Sequence, residues 1–131
     1  MRVLIDTSIW SLVLRRSQPV TPHAEELAKL LRSGTAVLLG AVRQEVLSGI
    51  PDPKTLARLR SALRTVPDHR VSTAHHETAA EFFNVCRGQG IQGSMTDFLL
   101  CAVSAIDRIP IYTSDADFGL FGRHLPIMLY R

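Results

Sequence analysis

Five of the twelve acidic residues stand where a carboxylate could do chemistry: Asp6, Glu45, Asp97, Asp115 and Asp117. Asp6 ends the apolar run Val3-Leu4-Ile5, Glu45 follows shortly after a second such run, and Asp115 and Asp117 follow a third. Asp97 opens a helix that is small and apolar nearly all round. In open α/β sheets ligands bind just beyond the carboxyl ends of strands, so these side chains are expected at one edge of one sheet. Uncompensated, carboxylates packed together repel one another and titrate upward. A hard divalent cation, Mg²⁺ or Mn²⁺, relieves that repulsion, because such ions take oxygen ligands. The chemistry implied is activation of water by metal at a phosphate ester.

Each acid also has a purely local reading. Asp6 has N-cap chemistry for the helix after it, and Asp117 for the short stretch Phe118–Phe121. Ser94 and Asp97 have the spacing of a capping box. Glu25 and Glu26, by contrast, read only as solvated partners of a helix dipole. What outweighs the local readings is the common position of the five.

The elements that must carry them follow from periodicity. Short branched runs at residues 3–5, 36–39, 109–113 and 127–129 read as buried strands. Helices are expected over 9–14, from Thr21-Pro22 (Thr21 as N-cap) to Gly34, over 42–49, from Asp52-Pro53 to about residue 64, from Ser72 or Thr73 to Arg87, and from Met95 to Asp107. The order of elements predicts an α/β layered fold with a central parallel sheet and helices on both faces. Residues 1–131 are read as one domain, large enough for its own core.

Composition narrows the function classes. Hydrophobic residues make up 46% and charged residues 21%, which is ordinary globular usage. No apolar run has the length of a membrane span, and the start of the chain lacks signal-peptide character. Cys86 and Cys101 lie on separate helical patterns and read as reduced thiols in a cytoplasmic protein. The net charge is +3, with only two lysines among fifteen basic residues; arginine's planar fork suits phosphate. Arg15, Arg16, Arg43 and Arg123 are the expected phosphate contacts, whereas Arg58, Arg60 and Arg64 read as the solvated face of their helix. The five histidines show no metal-ligand spacing and receive no role.

Taken together, Ile5-Asp6-Thr7-Ser8, Glu45 in Glu-Val-Leu-Ser-Gly, Thr96-Asp97 and Thr113-Ser114-Asp115-Ala116-Asp117-Phe118 resemble the PIN-domain ribonucleases, in particular their VapC-type toxin branch. The likeness runs in order along essentially the whole chain, although residues 51–73 hold no motif. It implies a PIN-like three-layer α/β domain, Mg²⁺-dependent endonucleolytic cleavage of RNA and inhibition by a small antitoxin that also binds DNA; a homodimer is expected. By motif position Asp6 and Asp97 carry over as principal metal ligands, Glu45 and Asp115 as the other site acids, and Asp117 as a further ligand. Thr7, Ser8 and Ser114 become supporting polar groups. The expected products are a 5′-phosphate and a 3′-hydroxyl, since no histidine is placed to drive attack through the ribose.

Competing readings are weaker. A haloacid-dehalogenase-type phosphatase needs an aspartate where Ser8 stands, and a phosphorelay receiver needs a lysine late in the chain, whereas none follows Lys54. A PIN-like module that binds RNA or protein without cutting, and a DNA nuclease, are the remaining alternatives.

Overall fold

In the computed structural model the described residues are 1–15 and 21–131. Arg16 lies outside them, and so do the side chains of Arg15 and Thr21, with the contacts expected of them. The elements run β1 (Val3–Ile5), α1 (Thr7–Trp10), a π-helical turn (Ser11–Arg15), α2 (Thr21–Arg32), β2 (Ala36–Val37), α3 (Gly40–Leu47), α4 (Pro53–Leu63), α5 (Thr73–Gly88), α6 (Met95–Asp107), β3 (Ile111–Tyr112) and α7 (Asp117–Phe121).

The three strands form a parallel sheet in the order β2-β1-β3. Val3, Leu4 and Ile5 are all buried, so both faces of the central strand are covered, as expected for a parallel sheet flanked by helices. The expected strand at 127–129 is reduced to one bridge, Leu129 beside Ile111. The run 36–39 keeps only two residues of ladder, with Leu38 bridging Asp68 instead. The helix expected over 9–14 is split: its regular part starts at Thr7 and loosens into the π-helical turn.

Local signals hold well elsewhere. Asp52 caps α4 by accepting from the amides of Lys54 and Thr55, with Pro53 in the first turn. Gly34, at φ +72°, ends the run after α2 in the left-handed region that glycine enters freely. Helix α6 is buried from Phe98 to Ser104 and packs most extensively on α5. Phe98, Phe118 and Phe121 stack as tilted and edge-to-face pairs beneath the start of α6. Among the described residues no helix is long and apolar enough to cross a membrane.

Candidate active site

Asp6 follows the last residue of the central strand, and its side chain is 4% exposed. A buried carboxylate must be hydrogen-bonded to be tolerated, and Asp6 is. Its Oδ2 accepts from Ser8 Oγ (2.7 Å), Thr113 Oγ1 (2.8 Å) and the Ser8 amide (3.4 Å). Asp6 is the N-cap of α1, and the same carboxylate is buried at the end of the central strand, where the sequence reading expects a site acid. Burial pushes its pKa up, and the bonds from Ser8 and Thr113 only partly oppose that.

Thr113 joins the pieces. While its hydroxyl donates to Asp6, its oxygen accepts from the Asp115 amide (2.9 Å) and lies 3.3 Å from Ser8 Oγ. The Ser114 amide in turn donates to Ser8 Oγ (3.1 Å). The end of β3 is thus laced to the end of β1 by side chains of both. The sequence reading gave Thr113 no role. The available signal was its place two residues before Asp115, on the same face of an extended chain.

Asp97 enters from the start of α6 as the third residue of the helix, where it closes the capping box with Ser94. Its Oδ2 accepts from the Ser94 amide (2.9 Å) and its own amide donates to Ser94 Oγ (3.0 Å). Burial raises its pKa, and although the Ser94 amide opposes this, the charges of Asp6 and Asp115 add to the rise. Those repulsions mark the three aspartates as electrostatic neighbours. Glu45, half-buried on α3, accepts from Thr7 Oγ1 at 2.7 Å, which ties it to the residue next to Asp6.

Asp117 is different. Its carboxylate is exposed and makes no hydrogen bond or ion pair among the described residues. Its expected role as N-cap of α7 is also overturned. Asp117 is already the first residue of the helix, and Asp115 Oδ1 accepts the Asp117 amide (2.9 Å). Arg43, expected on phosphate, spends its fork elsewhere, donating to Asp68 Oδ1 from Nε (3.0 Å) and Nη2 (2.9 Å) and to the Val66 carbonyl (2.8 Å).

The donor set suits a hard divalent cation. It is all oxygen, and the hydrogen bonds described end on one oxygen each of Asp6, Asp97 and Asp115, leaving the other free to face a ligand. The raised pKa values of Asp6 and Asp97 are what a nearby cation would reverse. As they stand, however, no three His, Cys, Asp or Glu side chains among the described residues are gathered closely enough to hold an ion.

The sequence reading also missed a second polar cluster. His69 and His75 both reach Asp107 Oδ2 through Nε2, at 2.7 and 2.9 Å, and the Ser72 amide donates to His75 Nδ1 at 2.9 Å. The backbone donor fixes His75 with its proton on Nε2, aimed at Asp107. Burial alone would raise Asp107; the two imidazole hydrogen bonds outweigh it and hold the carboxyl low. Asp107 ends α6, about 15 Å along the helix from Asp97, so this cluster pins the far end of the α5–α6 pair and stands apart from Asp6, Asp97 and Asp115.

The family model of the PIN domain matches residues 3–123. The chain belongs to the PIN-domain family. Its members are generally nucleases. Among solved structures, the PIN chain is similar to FitAcB from Neisseria gonorrhoeae, with TM-score 0.77 and 16% identity, over 98% of this chain and 96% of that one. VapBC2 from Rickettsia felis, bound to a DNA fragment from their promoter, gives TM-score 0.75 and 14% identity over 99% and 98%. PAE2754 from Pyrobaculum aerophilum gives 0.63 and 13% over 95% and 87%. At these identities the likeness establishes the PIN fold alone. No curated protein matches the chain.

Proposed function

We propose that this PIN domain is a metal-dependent endoribonuclease, the toxin of a toxin–antitoxin pair, that hydrolyses RNA phosphodiester bonds with water. The observation that carries the reading is the trio Asp6, Asp97 and Asp115: burial holds the carboxyls of Asp6 and Asp97 above their ordinary range, and the charges of Asp6 and Asp115 add to the rise at Asp97. An acidic cleft in a chain of net charge +3 suits a cation that bridges carboxylates to a phosphate.

In this reading Asp6 and Asp97 are the principal ligands of Mg²⁺ or Mn²⁺, with Glu45 and Asp115 completing the set and Asp117 further out. Bound there, the ion would lower the pKa of a water and neutralise charge developing on the phosphate. The chain's own contribution is positioning. Ser8 and Thr113 fix Asp6 from two sides, Thr7 orients Glu45, and the capping box holds Asp97 at the mouth of the cleft. Each carboxylate is thus held by bonds to one oxygen, which leaves the other available to a cation, the support a preorganised site needs.

The toxin role and a small antitoxin partner rest on likeness to FitAcB and VapBC2 and to the VapC-type motif pattern. A homodimer and a cytoplasmic setting belong to the same proposal. The test is incubation of the purified protein with total RNA, in Mg²⁺ or in EDTA, with mapping of the cut ends. Cuts bearing 5′-phosphates in Mg²⁺ alone, lost in Asp97→Asn, are the expected result. Asp97→Asn activity within threefold of wild type would leave Asp97 as a cap and nothing more. Expression of the wild type alone should arrest growth and that of Asp6→Ala should not; unimpaired growth with soluble wild type present would favour a non-cutting module.

A further inference from the structure

Helix α4 lies in the stretch that carries no nuclease motif. Its outward face holds Lys54, Arg58, Arg60 and Arg64, all exposed, and the helix has no acidic residue. At 100° per residue the four fall within an arc of about 160°, opposite buried Leu59 and Leu63. None of the four is in an ion pair among the described residues, whereas Arg43 on the neighbouring helix is held by Asp68. The chain's formal charge is +3; setting aside these four cations leaves −1 for everything else. Four of the chain's fifteen basic side chains thus share one face that holds no acidic residue.

The pairs Lys54–Arg58 and Arg60–Arg64 repel at i,i+4 spacing, a small but real cost to the helix. Arg60 and Arg64 gain something back from the helix dipole, while Lys54, in the first turn, does not. None of the large exposed hydrophobic side chains lies on α4; only Ala57 and Ser61 sit between the cations. A protein interface centres on aromatic or aliphatic anchors, and membrane-surface helices carry a buried apolar face toward the lipid. Neither fits. A row of arginine forks without anchors fits phosphates.

We infer that the outer face of α4 is a phosphate-backbone track that holds the RNA substrate next to the cleft. This rests on the nuclease reading above for its substrate. The row from Lys54 to Arg64 is about 15 Å long, enough to follow several consecutive backbone phosphates. Helix α4 packs on α3, the helix that carries Glu45, so a strand along α4 runs one helix away from a site acid. Such contacts bind without reading bases; selection of the cleavage sequence stays with the cleft.

The test is fluorescence anisotropy with a labelled single-stranded RNA 20-mer in EDTA, across a salt series. It compares the wild type, the triple variant Arg58→Gln/Arg60→Gln/Arg64→Gln, and a control triple Arg2→Gln/Arg32→Gln/Arg131→Gln that removes equal charge elsewhere. Glutamine keeps helix propensity, and equal melting temperatures verify folding. Losing three phosphate contacts should lower the slope of log K against log salt by about 2, so that between 50 and 200 mM salt wild-type affinity falls about 20-fold further than the variant's. The control should keep the wild-type slope. A slope unchanged in the α4 variant, or lowered equally in the control, overturns the track. So does a loss of binding to a polyglutamate peptide without loss for RNA, which assigns the face to an acidic protein. Because EDTA separates binding from cutting, protein that cuts RNA but binds it independently of α4 sinks the track and keeps the nuclease. Protein that binds through α4 and never cuts does the reverse.

Discussion

Thr113→Val removes one oxygen and nearly nothing else, since valine keeps the branched shape at the end of β3. The hydroxyl's donation to Asp6 Oδ2 is lost, and the Asp115 amide loses its acceptor. A hydrogen bond to a charged group contributes about 1.5–3 kcal/mol. The Asp115 amide is close enough to solvent to recover a partner, so we expect a net loss of about 2 kcal/mol at pH 7. With an unfolding entropy of about 2.1 cal/mol/K per residue over 131 residues, that lowers Tm by roughly 7 °C. The partner identifies the cause. In an Asp6→Asn background the same hydroxyl meets a neutral oxygen, where the bond is worth about 1 kcal/mol, so a double-mutant cycle should show about 1 kcal/mol of coupling. Thermal and urea unfolding of the four proteins, in EDTA, measure it. A Tm change under 2 °C for Thr113→Val, or an equal cost in both backgrounds, refutes the view that Thr113 anchors the Asp6 carboxylate.

Asp6→Asn should raise Tm in EDTA and abolish any stabilisation by millimolar Mg²⁺ or Mn²⁺, which stabilise wild type by binding only the folded chain. Asparagine's oxygen can accept the same three donors. The pH dependence follows from the sign of the shifts. Asp6 and Asp97 have folded pKa values above the ordinary 3.8, so their penalty is complete above those values and disappears as pH falls toward 3.8. The advantage of Asp6→Asn should therefore shrink as pH falls from 7 through that range, as melting curves at several pH values would show; an advantage constant with pH contradicts the assignment. Asp107, held low, works the other way and loses stability below its unfolded value. Asp115→Ala should cut the single-turnover rate on the order of a hundredfold and cost about 1 kcal/mol through the lost acceptor for the Asp117 amide, whereas Asp117→Ala should stay within about 0.5 kcal/mol of wild type; a larger rate loss for Asp117→Ala reverses their order. Gly93→Ala would place a Cβ 2.7 Å from Phe121 Cζ and 3.0 Å from Phe98, an overpacking worth about 1–3 kcal/mol; a neutral result in urea unfolding would show that the rings yield freely.

By itself the sequence determined whatever depends on near neighbours in the chain. Asp52-Pro53 had to open α4, and Ser94 with Asp97 had to form a capping box, because these bonds close within three or four residues. It also located the acids at strand ends, since Asp6 and Asp115 follow the elements that bury them. Tertiary structure decided what no spacing encodes. Thr113 meets Asp6 across 107 positions only because β3 lies directly beside β1. Asp115 rather than Asp117 turns inward because its amide is claimed by Thr113 and its carboxylate by the Asp117 amide. Arg43 is drawn from solvent to Asp68 once the segment after α4 runs past β2, and His69, His75 and Asp107 converge from three separate segments. Short-range hydrogen bonds are written into the order of residues, while the partners of a buried charge are chosen by which strands and helices pack together.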